Sequence, residues 1–188
     1  MILRRVALTA AVMAVVVASA GFGLHGASHA ATDEEVRNGD ALQLLLPLAA
    51  WGLTYAYDDP EGRSQFYWSY LTTMAITHTL KSTVPEQRPS GDTRSYVSGH
   101  TASAFAGAAF MQMRYGWGWG LPAYAAAIYT GQSRIDEPPH HYQGDVNRGA
   151  LIAIVTTFIF TSRYSSRRVR VAPLVGPDGY GWAMEARW

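Results

Sequence analysis

The chain's 188 residues include no cysteine, which excludes disulfide bridges and thiolate metal sites and makes the redox state of the compartment irrelevant to the fold. Lysine is almost as scarce: Lys81 stands alone among fifteen basic residues. Neither sign of charge dominates, since fourteen acidic side chains leave a formal net charge of +1. That balance excludes the broad basic surface of a nucleic-acid binder. Long apolar runs are missing beyond the first thirty residues. The apolar segments there are about 12 to 17 residues long, broken by Pro, Gly, Thr and His, and fall short of the ~20 that a spanning helix needs. Mean hydropathy is −0.04 with a very apolar leader included, so the remainder reads as a soluble or peripherally attached bundle. Leu42 to Tyr57 is the segment best able to overturn that reading.

What is present begins with the leader. Arg4 and Arg5, the apolar run Val6 to Ala20 and the small-residue stretch Ser28-His29-Ala30 follow the order of an export signal, with a retained membrane anchor as the alternative. Residues 1–30 are assigned as a signal peptide, which places the rest in the periplasm, soluble or membrane-associated. Cleavage removes two arginines and no acid, leaving thirteen basic residues against fourteen acidic ones. The remainder is long enough for one core. Residues 31–166 are read as a helical domain and 167–188 as a tail.

Turn and breaker signals divide that domain into about five helices. The first covers Leu42 to Tyr57, bent or begun at Pro47, and the second runs from about Ser64 to Lys81. A third follows Ser98-Gly99-His100 to about Tyr115, and its many alanines, with Gly107, leave thin flanks that other helices can approach closely. The fourth spans roughly Leu121 to Gln132 and the fifth about Gln143 to Ser162. The tail alternates apolar and polar residues about Gly176-Pro177-Asp178-Gly179, the pattern of a β-hairpin. The fold class is therefore all-α, a compact five-helix bundle with a C-terminal hairpin.

Beyond the leader only four histidines remain, His78, His100, His140 and His141, and three of them lie in motif-like contexts. Ser98-Gly99-His100 opens a helix, where backbone N–H groups and an imidazole meet an anion together. Lys81, at a helix end, and Arg88, in the next loop, can converge on one anion, the first as a point charge and the second as a bidentate fork. Ser133-Arg134 is followed by His140-His141 and Asp145. The spacing from His141 to Asp145 lets the carboxylate fix one ring nitrogen and leave the other for a substrate. Taken singly, each piece is also compatible with an ordinary helix cap or a solvated charge. His78, one turn before Lys81, reads as a core or supporting residue outside the site.

In this order the pieces resemble the type 2 phosphatidic acid phosphatase family, whose pattern is Lys-x6-Arg-Pro, Pro-Ser-Gly-His and Ser-Arg-x5-His-x3-Asp; its wider superfamily includes class A acid phosphatases and vanadium haloperoxidases. The resemblance runs by motif from Lys81 to Asp145. It implies a phosphoric ester hydrolase that needs no metal or other cofactor. By similarity His141 is the nucleophile that takes the phosphoryl group, Asp145 orients it, and His100 protonates the leaving oxygen. Lys81, Arg88 and Arg134, the Ser98 hydroxyl and the Gly99 amide would hold the phosphate oxygens. The implied partner is a phosphomonoester or diphosphate, with lipid phosphates the expected class and peripheral membrane contact compatible with it; Trp68, Tyr70, Trp117 and Trp119 offer an apolar approach for a lipid tail, with core packing the favoured use for most of them.

Two departures stand out. Val97 occupies the usual proline position, and six residues rather than five separate Arg134 from His141. Counting back from Asp145 selects His141, whereas counting forward from Arg134 selects His140. The rigid helical spacing favours His141, with the Pro138-Pro139 loop absorbing the extra residue. The same residues leave room for a non-catalytic phosphate-binding or envelope-interaction module, or for vanadate-dependent halide oxidation.

Overall fold

The computed structural model describes residues 32–88, 91, 93–135, 141–165, 168–176 and 179–187. The leader, Pro89 and the loop containing His140 lie outside the described residues.

Helix α1, Asp33–Ala56, starts nine residues before the expected position. Its start is set by a capping box that the apolar pattern does not reveal: Glu35 N–H donates to Thr32 Oγ1 (3.2 Å) and Thr32 N–H to Glu35 Oε2 (2.7 Å). Asp33, Glu34 and Glu35 also face the positive end of the helix dipole. The helix continues through Pro47.

Helix α2, Pro60–Thr83, begins with Asp59 as N-cap and Pro60 in the first turn, and ends one turn past Leu80 with Lys81 in its last turn. Helix α3, Gly99–Tyr115, is capped by Ser98. Gly116, at φ +100°, ends α3 and opens α4, Trp117–Gln132, four residues before the expected start. A side chain would be strained in that conformation. Helix α5 is Gln143–Phe160. Beyond it, β1 (Arg168–Gly176) and β2 (Gly179–Arg187) pair antiparallel, from Arg168 opposite Arg187 to Gly176 opposite Gly179. This is the hairpin expected from the turn signal.

Helix α3 lies at the centre and packs against all four other helices. Alanine-rich along its length, it is buried from Thr101 to Gln112. Phe66 of α2 stands edge-on to Phe110 of α3 with centroids 5.2 Å apart, and Ile154 of α5 is fully buried in the same core. Thr73 of α2 and Thr156 of α5 join through their hydroxyls.

The tightest approach is at Gly107. A Cβ there would lie 2.5 Å from the Leu46 carbonyl carbon and 2.6 Å from the Pro47 nitrogen, so α1 and α3 meet backbone to backbone. Gly107→Ala is expected to destabilise the bundle by about 1–3 kcal/mol through overpacking. A lowered thermal midpoint would show it; an unchanged midpoint would mean that the contact relaxes freely.

The far ends of the helices are joined by a buried ion pair, Arg114 NH2 to Asp59 Oδ1 at 2.6 Å. The outer flanks are apolar. Leu44, Leu48, Trp68, Leu71, Leu121 and Ile159 are each more than half exposed. Among the described residues no helix is long and apolar enough to cross a membrane. Of the two places read for His78, core or supporting, the core is ruled out, since it is exposed on α2.

Candidate active site

The alternating directions of the helices bring the start of α1, the end of α2, the start of α3, the end of α4 and the start of α5 to one end of the bundle. Every motif piece lies there. The Ser-Gly-His turn and α5 are joined directly: Ser98 N–H donates to the Asp145 carbonyl at 3.0 Å, and a Cβ on Gly149 would lie 2.6 Å from the Ser98 carbonyl oxygen. A side chain on Gly149 would therefore push the turn away from the His141/Asp145 segment.

Asp145, fully buried in the first turn of α5, accepts from every side. Its Oδ2 receives His141 Nδ1 at 3.0 Å, the Tyr142 N–H at 3.2 Å and the Ser95 hydroxyl, while Oδ1 receives Arg148 NH1 at 3.1 Å. His141 is only 3% exposed. With Nδ1 held by the carboxylate, Nε2 is the nitrogen left to react.

The register question has a backbone answer on one side. His141 N–H donates to the Arg134 carbonyl at 3.0 Å, closing the ends of the segment between them. His140 itself lies outside the described residues. The fully buried Val97 fills the position where the family pattern has proline.

The predicted phosphate ligands surround this pair. Burial pushes the Lys81 ammonium below its ordinary range, repulsion from Arg88 and Arg94 adds to the effect, and attraction to Asp145 opposes it. Burial likewise lowers His141, where the Asp145 bond opposes and Lys81 and Arg88 reinforce the shift. His100 is pushed down to about 4, first by burial and then by Arg134, with Asp40 opposing and Lys81 and His141 adding to it. A group of cations and imidazoles that suppress one another's charge in this way favours an anion among them.

Several donors are free to meet that anion. Among the described residues the buried Nε of Arg88 has no hydrogen-bond partner. A Cβ on Gly99 would meet nothing within 4 Å, so the glycine leaves its first-turn amide open. Ser98 Oγ accepts from the Thr101 amide (3.4 Å) and hydroxyl (3.0 Å), which leaves its own proton to donate. Arg134, buried, sends NH1 to Asp40 Oδ1 (2.9 Å), NH2 to the Val36 carbonyl (2.9 Å) and Nε to Ser133 Oγ (3.2 Å). A guanidinium has five N–H donors, so two remain once the bonds to described residues are counted.

Sequence reasoning missed four participants. Ser95 and Arg148 hold the Asp145 carboxylate. Tyr96, at φ +29°, is fixed through its carbonyl to Arg148 NH1 (2.9 Å), whose guanidinium lies 4.4 Å above the Tyr96 ring. Asp40 reaches His100 Nε2 at 3.0 Å. Of these, Arg148 alone carried a local signal, three residues after Asp145 on the same helix face. Of the four aromatic residues that offered an apolar approach, none is placed beside the site among the described residues, and two take the core packing expected for most of them. Trp119 bonds Tyr57 at the opposite end of the bundle (3.0 Å), Trp68 is about 20 Å of helix away from Lys81, and Tyr70 and Trp117 pack on the core.

Both imidazoles lie below their ordinary value in the folded chain, so the unfolded chain binds more protons as the pH falls through about 6.5 toward 4. The stability they contribute is present above that window and lost within it. The thermal midpoint of the free protein is expected to be lower at pH 5 than at pH 7, and equal midpoints would contradict the shifts.

Comparison with known proteins places this geometry in a family. No family model matches the chain. The lipid A 4'-phosphatase of Helicobacter pylori is 30% identical over 167 residues, covering 80% of this chain and 83% of that protein. The lipid A 1-phosphatase of Porphyromonas gingivalis is 33% identical over 129 residues, 62% of this chain and 28% of that longer protein. The crystal structure of Aquifex aeolicus LpxE shares the fold, with a TM-score of 0.57 at 20% identity over 66% of this chain and 81% of that one. With the three motif pieces converging at one end of such a bundle and a relative aligned along most of both chains, this protein belongs to the type 2 phosphatidic acid phosphatase family and is a phosphoric ester hydrolase.

Proposed function

We propose that the protein removes a phosphate from a lipid A-type glycolipid on the outer side of the inner membrane, through a phosphohistidine on His141. The observation that carries the mechanism is the buried His141–Asp145 pair at the same bundle end as Lys81, Arg88, Arg134 and His100. In this reading His141 Nε2 attacks phosphorus and the leaving oxygen takes a proton from His100. Asp145 stabilises the positive charge that develops on the His141 ring. Water then attacks the phosphohistidine while giving a proton to the now neutral His100, and the P–N bond breaks to release phosphate and the neutral His141 ring, with both imidazoles restored. Lys81, Arg88 and Arg134 supply fixed positive charge to the phosphoryl oxygens, which supports catalysis without a metal. The export-signal pattern read in the sequence of residues 1–30 supports the location.

The flanks support a lipid-bound setting. Residues 41–57, 64–80, 115–133 and 149–162 contain no Asp, Glu, Lys or Arg. On α1, α2 and α5 this gives a charge-free layer about 18–25 Å deep around the bundle, and Leu44, Ile76, Ile128 and Tyr129 are exposed near its site end. An apolar surface on every outer helix suits acyl chains better than one protein partner. A substrate anchored in the same lipid would present its phosphate at the site end.

The test is phosphate release by the full chain, with chelator present, from a bis-phosphorylated lipid A in mixed micelles and from a chromogenic monoester. Chelator-resistant release that prefers the lipid supports the reading. Release that requires added metal overturns the metal-independent mechanism, and preference for the soluble ester overturns the substrate class.

A further inference from the structure

We propose that Asp40 of α1 is a positioning residue for His100: its carboxylate fixes the ring through Nε2 and holds Arg134 beside it, so that the acid proton is presented on Nδ1. The inference rests on the phosphatase reading above and adds to it a fourth segment of chain, remote from all three motif pieces.

The geometry is specific. Asp40 Oδ1 lies 3.0 Å from His100 Nε2 and 2.9 Å from Arg134 NH1, so a single oxygen joins the general acid to a phosphate ligand. The approach of α1 is built in. Gly39 sits where a Cβ would fall 2.2 Å from Ser133 Oγ and 2.9 Å from Arg134 NH2, and one turn earlier the Val36 carbonyl accepts from Arg134 NH2 at 2.9 Å. Val36, Gly39 and Asp40 thus share the helix face that meets the end of α4.

The charge around His100 explains why a carboxylate is useful there. Arg134 from the end of α4, Lys81 from α2 and His141 from the segment before α5 all disfavour its protonated form, and Asp40 from α1 opposes them. A histidine that donates a proton to a leaving oxygen must first carry it. Asp40 plays toward His100 the part that Asp145 plays toward His141, so each imidazole has its own acid. When Nε2–H is bonded to Asp40, the second proton of the imidazolium resides on Nδ1, and this is the one available for transfer. The Asp40 side chain is 48% exposed, so among its described partners the one buried donor that its replacement unpairs is Arg134 NH1.

The experiment compares wild type, Asp40→Asn and Asp40→Glu as full chains in micelles, with two readouts. The first is the pH profile of kcat and KM for phosphate release. The second is the NMR titration of the His100 ring, assigned with His100→Gln. Asp40→Asn is expected to lower kcat at neutral pH about tenfold or more with KM changed less than threefold, to move the alkaline limb of kcat to lower pH, and to lower the His100 titration midpoint. Asp40→Glu should recover most of the loss. Asp40→Ser is the second variant if Asp40→Asn does not fold. An unchanged kcat profile with an unchanged His100 titration overturns the proposal. So does a fall in KM with kcat maintained, because the carboxylate would then be occupying the phosphate position rather than orienting the acid. If wild type releases phosphate from no ester, the phosphatase reading fails, while the titration still decides whether Asp40 acts on His100.

Discussion

His141→Ala is expected to lower phosphate release by at least about 10³-fold, whereas His140→Ala should leave it within a few-fold of wild type. The difference follows from one bond. His141 Nδ1 is held at 3.0 Å by a carboxylate that is itself fully buried and fixed by Ser95, Tyr142 and Arg148, so the ring can present Nε2 in one orientation only. Burial and the nearby Lys81 and Arg88 favour the neutral ring, which suits the proposed nucleophile, and Asp145 would stabilise the positive charge that phosphorylation would place on it. Lys81, Arg88 and Arg134 remain in His141→Ala, so affinity for the phosphate ester should change far less than turnover. Steady-state kinetics on the full chain, with kcat and KM separated, check both halves. Loss confined to His140→Ala would transfer the nucleophile to that residue, and equal loss in both variants would point to a damaged loop.

Arg114→Ala is expected to cost about 3–5 kcal/mol of stability, the usual penalty for leaving one partner of a buried ion pair alone. Asp59 is fully buried and takes both arms of the guanidinium, Nε to Oδ2 at 2.7 Å and NH2 to Oδ1 at 2.6 Å. It also accepts the Gly62 amide at 3.0 Å as the cap of α2 and the Tyr115 hydroxyl at 3.1 Å. Arg114 NH1 reaches on to the Ser162 carbonyl at 2.8 Å. One pair therefore joins the start of α2, the end of α3 and the strand of chain leaving α5. The thermal midpoint should fall by roughly 10 °C. Because this cluster lies at the end of the bundle opposite Lys81, turnover well below the midpoint should be nearly unchanged. Arg114→Leu combined with Asp59→Leu should recover part of the loss, since no uncompensated charge is then buried. A midpoint shift under 2 °C in Arg114→Ala would mean that water reaches Asp59.

The motif pieces were legible because each is local. A Ser-Gly-His helix start, a histidine four residues before an aspartate and a lysine at a helix end need only backbone periodicity to be recognised. Five helices and a terminal hairpin followed from turn residues for the same reason. The errors were local as well. The capping box at Thr32 and Glu35 starts α1 well before its apolar stretch, and a pattern of buried residues cannot show a polar first turn. His78, one turn from Lys81, is compatible in the sequence with a core or a supporting place, and only the packing of α2 leaves it exposed.

By itself the sequence determined the helix count and the order of the three motif pieces and favoured His141 over His140 as the partner of Asp145, since these depend on short-range geometry; the bond between them is seen in the structure. Tertiary structure alone decided that Asp40, sixty residues before His100, reaches its ring, that Ser95 and Arg148 hold Asp145, and that Arg114 and Asp59 close the far end. Those contacts depend on how closely the helices approach. That approach is set by the absent side chains of Gly39, Gly107 and Gly149, which no local pattern reports.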